Sequence, residues 1–323
     1  MDHASVLTVT VEYYKFLGLS QIRQFDYPEA KFSLYFLAYD GPESLSGKND
    51  SSDRNGVLEL THNWGTENDP NYAVVNGNTE PHRGFGHLAI SVDNIEAACK
   101  RIEDAGYPFQ KKLTDGRMKH IAFAKDPDGY WVEIIRRFDQ DVGTGTDPST
   151  YRLNHTMLRV KSAEVSLKWY QDVLGMKLVR TSKNPEAKFD LYFLAYPGAN
   201  PAIKADSKNP VADWEGLLEL TWNYGTENQE GPVYHNGNNE PQGFGHICEC
   251  YCVSLTQSFG TNLDQGVSVD NLDAACARFE SLNVNWKKRL TDGRMKDVAF
   301  ILDPDGYWVE IVQNEKFNPS AKV

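Results

Sequence analysis

The sequence predicts an α+β chain built as a tandem repeat, with mixed sheets covered by helices on one face. Three observations carry this reading. Long segments recur almost unchanged, short β-rich runs alternate with amphipathic stretches, and both copies keep the same order of elements. AKFSLYFLAY at 30–39 returns as AKFDLYFLAY at 187–196, and LELTHNWGTEN at 58–68 as LELTWNYGTEN at 218–228. GFGH at 84–87 recurs at 243–246, LTDGRMK at 113–119 at 290–296, and DPDGYWVEI at 126–134 at 303–311. Copy 1 is read as residues 1–138 and copy 2 as 151–323, joined by the polar, Gly-containing linker 139–150.

The elements follow from local pattern. Copy 2 opens with HTMLRV, a strand rich in β-formers within Leu153–Val160. AEVSLKWYQDVLG then reads as a helix stopped at Gly175. LYFLAY and LLELTW are further β-rich runs, and NLDAACARFESLN and NIEAACKRIEDAG are amphipathic helices. DPDGYWVEI is a tight turn feeding a strand, because Asp-Pro-Asp-Gly supplies the turn chemistry. Each copy is thus two β-α-β-β(-β) units.

Two departures from exact repetition stand out. His87 to His246 spans 159 residues, whereas Val92 to Val269 spans 177, so copy 2 holds an 18-residue insertion, Glu249–Gly266. Without it, His246 to Glu310 has the same 46-residue spacing as His87 to Glu133. Tyr14 aligns with Tyr170, which would place the counterpart of His155 before residue 1, so copy 1 is expected to lack the first strand. Eighteen codons are a multiple of three, and the peptide can be back-translated with a donor-like GTGAGT across Cys248-Glu249 and a branch-like ACTAAC at Thr261-Asn262. An in-frame retained intron is therefore expected, with a mis-assigned first exon behind the short N-terminus. A cDNA that encodes Glu249–Gly266 and starts at Met1 overturns both.

Composition narrows the function. The chain has 323 residues, 40% of them apolar and 24% charged, ordinary values for about two globular domains. No apolar run approaches the roughly 18–20 residues of a membrane span, and the N-terminus lacks the basic and apolar regions of a secretory signal. A net charge of −12 argues against nucleic-acid and anionic-membrane partners. The five cysteines form no disulfide pattern, which fits a reducing cytoplasm. The spacing Cys248-x-Cys250-x-Cys252 is wrong for a zinc knuckle.

Metal-type side chains sit on the strands of both copies: the Glu of LELT (Glu59, Glu219), the His of GFGH (His87, His246) and the Glu of YWVEI (Glu133, Glu310). Copy 2 adds His155. Because strand side chains alternate, Glu59 faces away from Leu58 and Leu60. A solvated outer face accounts for any one such Glu. His and Glu retained in both copies favour a site, and two His with two Glu suit zinc or nickel with positions left open.

NHTMLRVKSAEVSLKWYQDVLGMKL, KFxLYFLAY, LELTHNWGTEN, NGNxEPxGFGHI and DPDGYWVEI resemble glyoxalase I (lactoylglutathione lyase) of the vicinal-oxygen-chelate superfamily, in its fused two-copy form. The resemblance covers nearly the whole chain, twice. It implies paired βαβββ modules whose sheets curl around metal clefts, each cleft shared between copies, in a monomer that is its own pseudo-dimer. It implies one intact site, with His155 and Glu219 from copy 2 and His87 and Glu133 from copy 1, holding one divalent metal, Zn²⁺ foremost, with Ni²⁺ or Co²⁺ as alternatives. Glu133 is expected as the principal base and Glu219 as its counterpart. The substrate is the glutathione–methylglyoxal hemithioacetal, isomerised to S-lactoylglutathione, with contacts from Arg159, Asn223, Arg83, Lys111 and Arg117. The other site, Glu59, His246 and Glu310 with Asn63, Gln242, Lys288 and Arg294, lacks its first His and first Arg and is expected to be damaged. Met118 and Met295 are read as cleft wall or ordinary core. The competing readings are an iron-dependent extradiol dioxygenase, against which a fourth ligand and the glutathione-type cations argue, and a binding module silenced by the defects.

Overall fold

In the computed structural model, the structure describes residues 6–116, 118–203, 206–247, 268–293 and 295–314. The insertion 249–266, Arg117 and Arg294 therefore lie outside the described residues. Copy 1 runs α1 (Val6–Phe16), β1 (Ser20–Tyr27), β2 (Phe32–Ala38), β3 (Val57–Asn63), β4 (Phe85–Val92), α2 (Ile95–Asp104), β5 (Phe109–Lys111), β6 (Ile121–Lys125) and β7 (Trp131–Arg136). Copy 2 runs β8 (Arg152–Val160), α3 (Ala163–Asp172), β9 (Lys177–Asn184), β10 (Phe189–Ala195), β11 (Leu217–Asn223), β12 (His246–Ile247), β13 (Ser268–Val269), α4 (Leu272–Ser281), β14 (Trp286–Lys288), β15 (Val298–Leu302) and β16 (Trp308–Gln313).

The helices form where the sequence supplies both a cap and an apolar stripe. Asn94 accepts a hydrogen bond from the Ala97 amide at the start of α2, and Asn271 accepts one from the Ala274 amide at the start of α4. Ile95, Ala98, Cys99 and Ile102 then bury one face of α2 at i, i+3, i+4 and i+7. Past the end of α1, Gly18 takes φ = +99°, and a Cβ there would stand 2.4 Å from the Pro148 carbonyl oxygen. The Leu-Gly turn is thus fixed by handedness and by close approach to the segment entering copy 2.

The strands do not sort by copy. The second half of copy 1 and the first half of copy 2 merge into one eight-stranded sheet, in the order β5-β6-β7-β4-β8-β11-β10-β9. The seam is the antiparallel pair β4–β8, with His87 opposite Met157 and Ala89 opposite His155. β8 pairs parallel with β11 on its other edge, setting His155 opposite Leu217 and Met157 opposite Glu219. The remaining halves form two separate sheets, β1-β2-β3 and β12-β16-β15-β14, with β13 also on β16. The two copies meet again where the GFGH phenylalanines stack, Phe85 on Phe244, with centroids 4.6 Å apart and planes 11° apart.

The register on β16 locates the insertion. Ile247 lies opposite Val309 and Ser268 opposite Val312, so only two β16 residues lie between positions that have 20 residues of chain between them. In copy 1 the same stretch is continuous: Leu88 lies opposite Val132 and Ser91 opposite Ile135. The extra length enters between β12 and β13, and pairing resumes in the original register.

Within each copy, the Asp-Pro-Asp-Gly turn is tied to the helix of the other half. Asp303 is buried, and accepts from the Tyr170 hydroxyl (2.9 Å) and from the amides of Asp305 and Tyr307 (2.9 Å each). Asp126 accepts likewise from the Tyr14 hydroxyl at 3.0 Å. Burial, reinforced by the neighbouring aspartate, lifts each carboxyl to about 7. A free aspartate loses its proton near ~4. Between about 4 and 7 the folded chain therefore holds protons that the unfolded chain has given up, so these groups erode stability as pH rises through that window. Asp303→Asn removes one of the two. It is expected to narrow the difference in Tm between pH 5 and pH 8 by at least ~2 °C, the shift produced by roughly 1 kcal/mol in a protein of this size. An unchanged difference, measured by calorimetry, contradicts this assignment.

Candidate active site

The strand pairing puts four side chains on one face of the eight-stranded sheet. His87 comes from β4, Glu133 from β7, His155 from β8 and Glu219 from β11. All four are buried, with residue exposures between 4% and 8%. His87 Nε2 lies 3.2 Å from His155 Nε2 and 3.6 Å from Glu133 Oε2. His155 Nε2 lies 3.3 Å from Glu133 Oε2 and 3.2 Å from Glu219 Oε2. His87, Glu133 and His155 thus bring three donor atoms within 4.8 Å of one another, and Glu219 adjoins them through its contact with His155. Adjacent donors of a zinc-type ion with bonds of ~2.1 Å stand roughly 3.0–3.4 Å apart, so the spacing fits a divalent metal. The donor chemistry fits as well, since imidazole and carboxylate suit ions of borderline hardness.

The electrostatics agree. Burial alone pulls an imidazole down, and His87 is held below its ordinary value by that cause. At His155 the contacts with Glu133 and Glu219 outweigh burial and carry the ring up to about 9. Burial pushes Glu219 up, but His155 overrides it and holds the carboxyl low. Two buried carboxylates around one imidazole create a field that a cation satisfies, and metal binding there must displace a proton.

The ligands are held differently. His155 Nδ1 is within 2.8 Å of Asn154 Oδ1, and Asn154 donates from Nδ2 to the carbonyls of Val211 and Trp214 (2.9 and 2.8 Å). That chain fixes the ring so that Nε2 points into the cleft. Glu219 Oε1 accepts from the Thr221 hydroxyl at 3.2 Å. For Glu133 the polar neighbours are the two His rings alone, among the described residues. Neither Asn154 nor Thr221 stood out in the sequence, although each lies within two residues of a ligand. Arg180 was also missed. It sits on β9 opposite Phe193, with its guanidinium 5.4 Å from that ring, and bonds Asn209 Oδ1. Phe193 in turn packs edge-on against His155, with centroids 5.5 Å apart. Burial lowers the Arg180 pKa, while the charges of Glu219 and Glu133 act on it in the opposite sense.

The other sequence-selected cations and amides are placed as follows. Arg159 is buried. Its Nη1 donates to the carbonyls of Gly77, Gly84 and Phe85 (3.0, 3.3 and 3.0 Å) and its Nη2 to Asn78 Oδ1 (2.8 Å). It braces the 77–85 loop that carries Arg83. Arg83 is half-exposed, with a 3.4 Å contact to Glu80. Asn223 Nδ2 donates to the Tyr234 hydroxyl at 2.9 Å. Lys111 Nζ folds onto the carbonyls of Met118 (2.6 Å) and Ile121 (2.8 Å). Met118 and Met295 are exposed, 47% and 41%, so the core reading of these two fails.

The second cluster is looser. Glu59, His246 and Glu310 lie within 4.8 Å of one another, with His246 Nε2 3.9 Å from Glu59 Oε2 and 3.5 Å from Glu310 Oε2. Their side chains are 14–18% exposed, and no fourth donor joins them among the described residues. Burial, against a smaller opposing pull from His246, lifts Glu59 to about 7.

Comparison with known proteins agrees with this geometry. The profile of the Glyoxalase/Bleomycin resistance protein/Dioxygenase superfamily matches residues 8–134 and 152–311. A lactoylglutathione lyase of Schizosaccharomyces pombe is 48% identical over 94% of this chain and 91% of its own. A glyoxalase I of Saccharomyces cerevisiae is 46% identical over 94% of this chain and 87% of its own. The crystal structure of glyoxalase I from Zea mays superposes with a TM-score of 0.61 at 25% identity, covering 96% of this chain and 89% of that one. With the repeat, the shared cleft and these likenesses together, the chain belongs to the glyoxalase superfamily and, within it, to the fused two-copy glyoxalase I (lactoylglutathione lyase) family.

Proposed function

We infer that the chain is a lactoylglutathione lyase, isomerising the hemithioacetal of glutathione and methylglyoxal to S-lactoylglutathione at the cleft of His87, Glu133, His155 and Glu219. The observation that carries this reading is the gathering of buried His87, Glu133 and His155 from the two copies within 4.8 Å of one another, with Glu219 Oε2 3.2 Å from His155 Nε2. These residues would hold one divalent ion, Zn²⁺ foremost, with Ni²⁺ and Co²⁺ accepted by the same set. When bound, the ion supplies a Lewis acid that stabilises the developing oxyanion of the substrate.

The side chains supply the rest. The reaction removes the proton on C1 of the hemithioacetal and returns one to C2, so it needs a carboxylate that acts first as base and then as acid. Glu133 suits that role because nothing but the two His rings holds it, whereas Thr221 tethers Glu219. Glu219 acts across the cleft as its counterpart. Arg83, with Arg159 bracing its loop, supplies local positive charge for the anionic glutathione in an otherwise acidic protein. Asn223, Lys111 and Arg117 complete the substrate contacts in this reading.

No helix among the described residues is long and apolar enough to cross a membrane. We place the enzyme in the cytoplasm, where glutathione keeps thiols reduced. The β4–β8 seam is closed within one chain, so the protein needs no second copy to build the cleft. Sedimentation at micromolar concentration is expected to give a monomer; an obligate dimer contradicts that. The test of the function itself is formation of S-lactoylglutathione by the purified chain. Oxygen consumption with a catechol, in place of it, would mark a dioxygenase.

A further inference from the structure

Across β11, β10 and β9 the strand register lines up three side chains: Glu219 stands opposite Phe193, and Phe193 opposite Arg180. Residues directly opposite share a face, so Arg180 belongs to the face that carries the cleft, two strand spacings or roughly 9–10 Å from the Glu219 backbone. Its guanidinium lies 5.4 Å from the centre of the Phe193 ring, and that ring packs on His155. Arg180 is half-buried, yet among the described residues no carboxylate pairs with it and its one hydrogen bond runs from Nη1 to Asn209 Oδ1. The cation of the matching row in the other half behaves differently. Lys111 stands opposite Phe123 and Phe123 opposite Glu133, but its ammonium donates to the carbonyls of Lys112, Met118 and Ile121. The repeat also keeps an arginine, Arg23, at the corresponding position of copy 1, between neighbours that vary. A divalent ion held by the Glu133 and Glu219 carboxylates makes a neutral cluster, so the Arg180 charge is left over, and a partly desolvated cation without a counter-charge is costly to keep.

We propose that Arg180 is a specificity-determining residue of this cleft, reading an anionic end on the aldehyde-derived part of the substrate. The chemical class is a 2-oxoaldehyde that carries a terminal carboxylate. The proposal rests on the reading of the cleft as the hemithioacetal site. Arg159 and Asn223, the contacts read for glutathione, lie four residues past His155 and Glu219 along the parallel strands β8 and β11, roughly 13 Å away. The glutathione moiety therefore runs along the strands. Arg180 is level with Glu219 instead, and meets what lies beside the ion: the two-carbon unit and its substituent. Phe193 offers that substituent an apolar floor, and Arg180 stands at the far edge of the floor with Nε and Nη2 uncommitted among the described residues. A carboxylate takes two such donors side by side in a bidentate pair. The methyl group of methylglyoxal carries no acceptor for them. The covalent step is unchanged: C1 gives up one proton, C2 receives one, and the product is a glutathione thioester with the carboxylate intact.

The experiment uses the full chain and the glutathione adducts of two 2-oxoaldehydes, one with a carboxylate two methylenes beyond the ketone and the other its methyl ester. In the parent chain kcat/KM for the acid is expected to exceed that for the ester by at least ~10-fold, the lower end of what a hydrogen bond to a charged group contributes. Arg180→Gln should bring the ratio near one, and Arg180→Lys, which keeps the charge, should retain part of it. Arg83→Gln, on the glutathione side, should lower turnover of both adducts and leave the ratio in place. Four results overturn the proposal: a parent chain that does not prefer the acid, a preference that survives Arg180→Gln, a ratio in Arg180→Lys no higher than in Arg180→Gln, or a ratio abolished equally by Arg83→Gln. Because the readout is a ratio, a general loss of folding or of metal does not mimic it. Failure of the underlying reading looks different, since no adduct, that of methylglyoxal included, would then be turned over.

Discussion

Glu133→Gln is expected to lower turnover of the hemithioacetal by ~10²–10⁴-fold, the usual contribution of a positioned general base. The substitution keeps the shape and one oxygen donor, so the sheet and the neighbouring His rings should persist. Glu310→Gln at the equivalent position of copy 2 is expected to leave turnover nearly unchanged. The asymmetry follows from geometry: Glu133 faces two buried imidazoles at 3.3 and 3.6 Å, whereas the cluster around Glu310 contains one. A purely structural role for both residues predicts similar losses of folding instead. If both variants fold normally and Glu310→Gln is as inactive as Glu133→Gln, the working cleft has been misassigned.

The second large effect is expected at His155. Its Nε2 lies within 3.3 Å of the donor atoms of His87, Glu133 and Glu219, so it stands at the centre of the cluster. His155→Ala removes that donor and leaves the buried Glu133 and Glu219 carboxylates without the imidazole they share. Metal retention should weaken by at least ~100-fold, more than the 10–100-fold typical of losing an outer hydrogen-bond partner of a ligand. His155→Gln returns a carbonyl oxygen to the same place and should recover part of the loss. Dialysis against a chelator followed by metal analysis reads both variants. Equal retention by His155→Ala and the parent chain would remove His155 from the ligand set.

The site was legible in the sequence to the extent that its chemistry is carried by residue type. Glu59 and Glu219, His87 and His246, and Glu133 and Glu310 announce themselves because the repeat holds them while their surroundings vary. That the two copies share one cleft came from family resemblance. No pattern within either copy dictates that β4 pairs with β8 rather than with a strand of its own copy. The partners of the cations were not legible. Arg159 and Lys111 read as free positive charge, yet both donate to backbone carbonyls, groups that every residue carries and no motif marks. Arg180 escaped for the opposite reason. It lies on an ordinary strand, and only the sheet order brings Phe193 and the cleft beside it. The extra length between His246 and Val269 was visible as arithmetic, but its place between β12 and β13 required the register on β16.

The central claim is that one complete metal cleft, built from both copies, does the chemistry. Metal content of the purified, zinc-saturated and dialysed chain tests it most directly. The account predicts one equivalent per chain, lost together with turnover in His155→Ala and retained in Glu310→Gln. Two tightly held equivalents in the parent chain, or one that survives His155→Ala and disappears in Glu310→Gln, would contradict it.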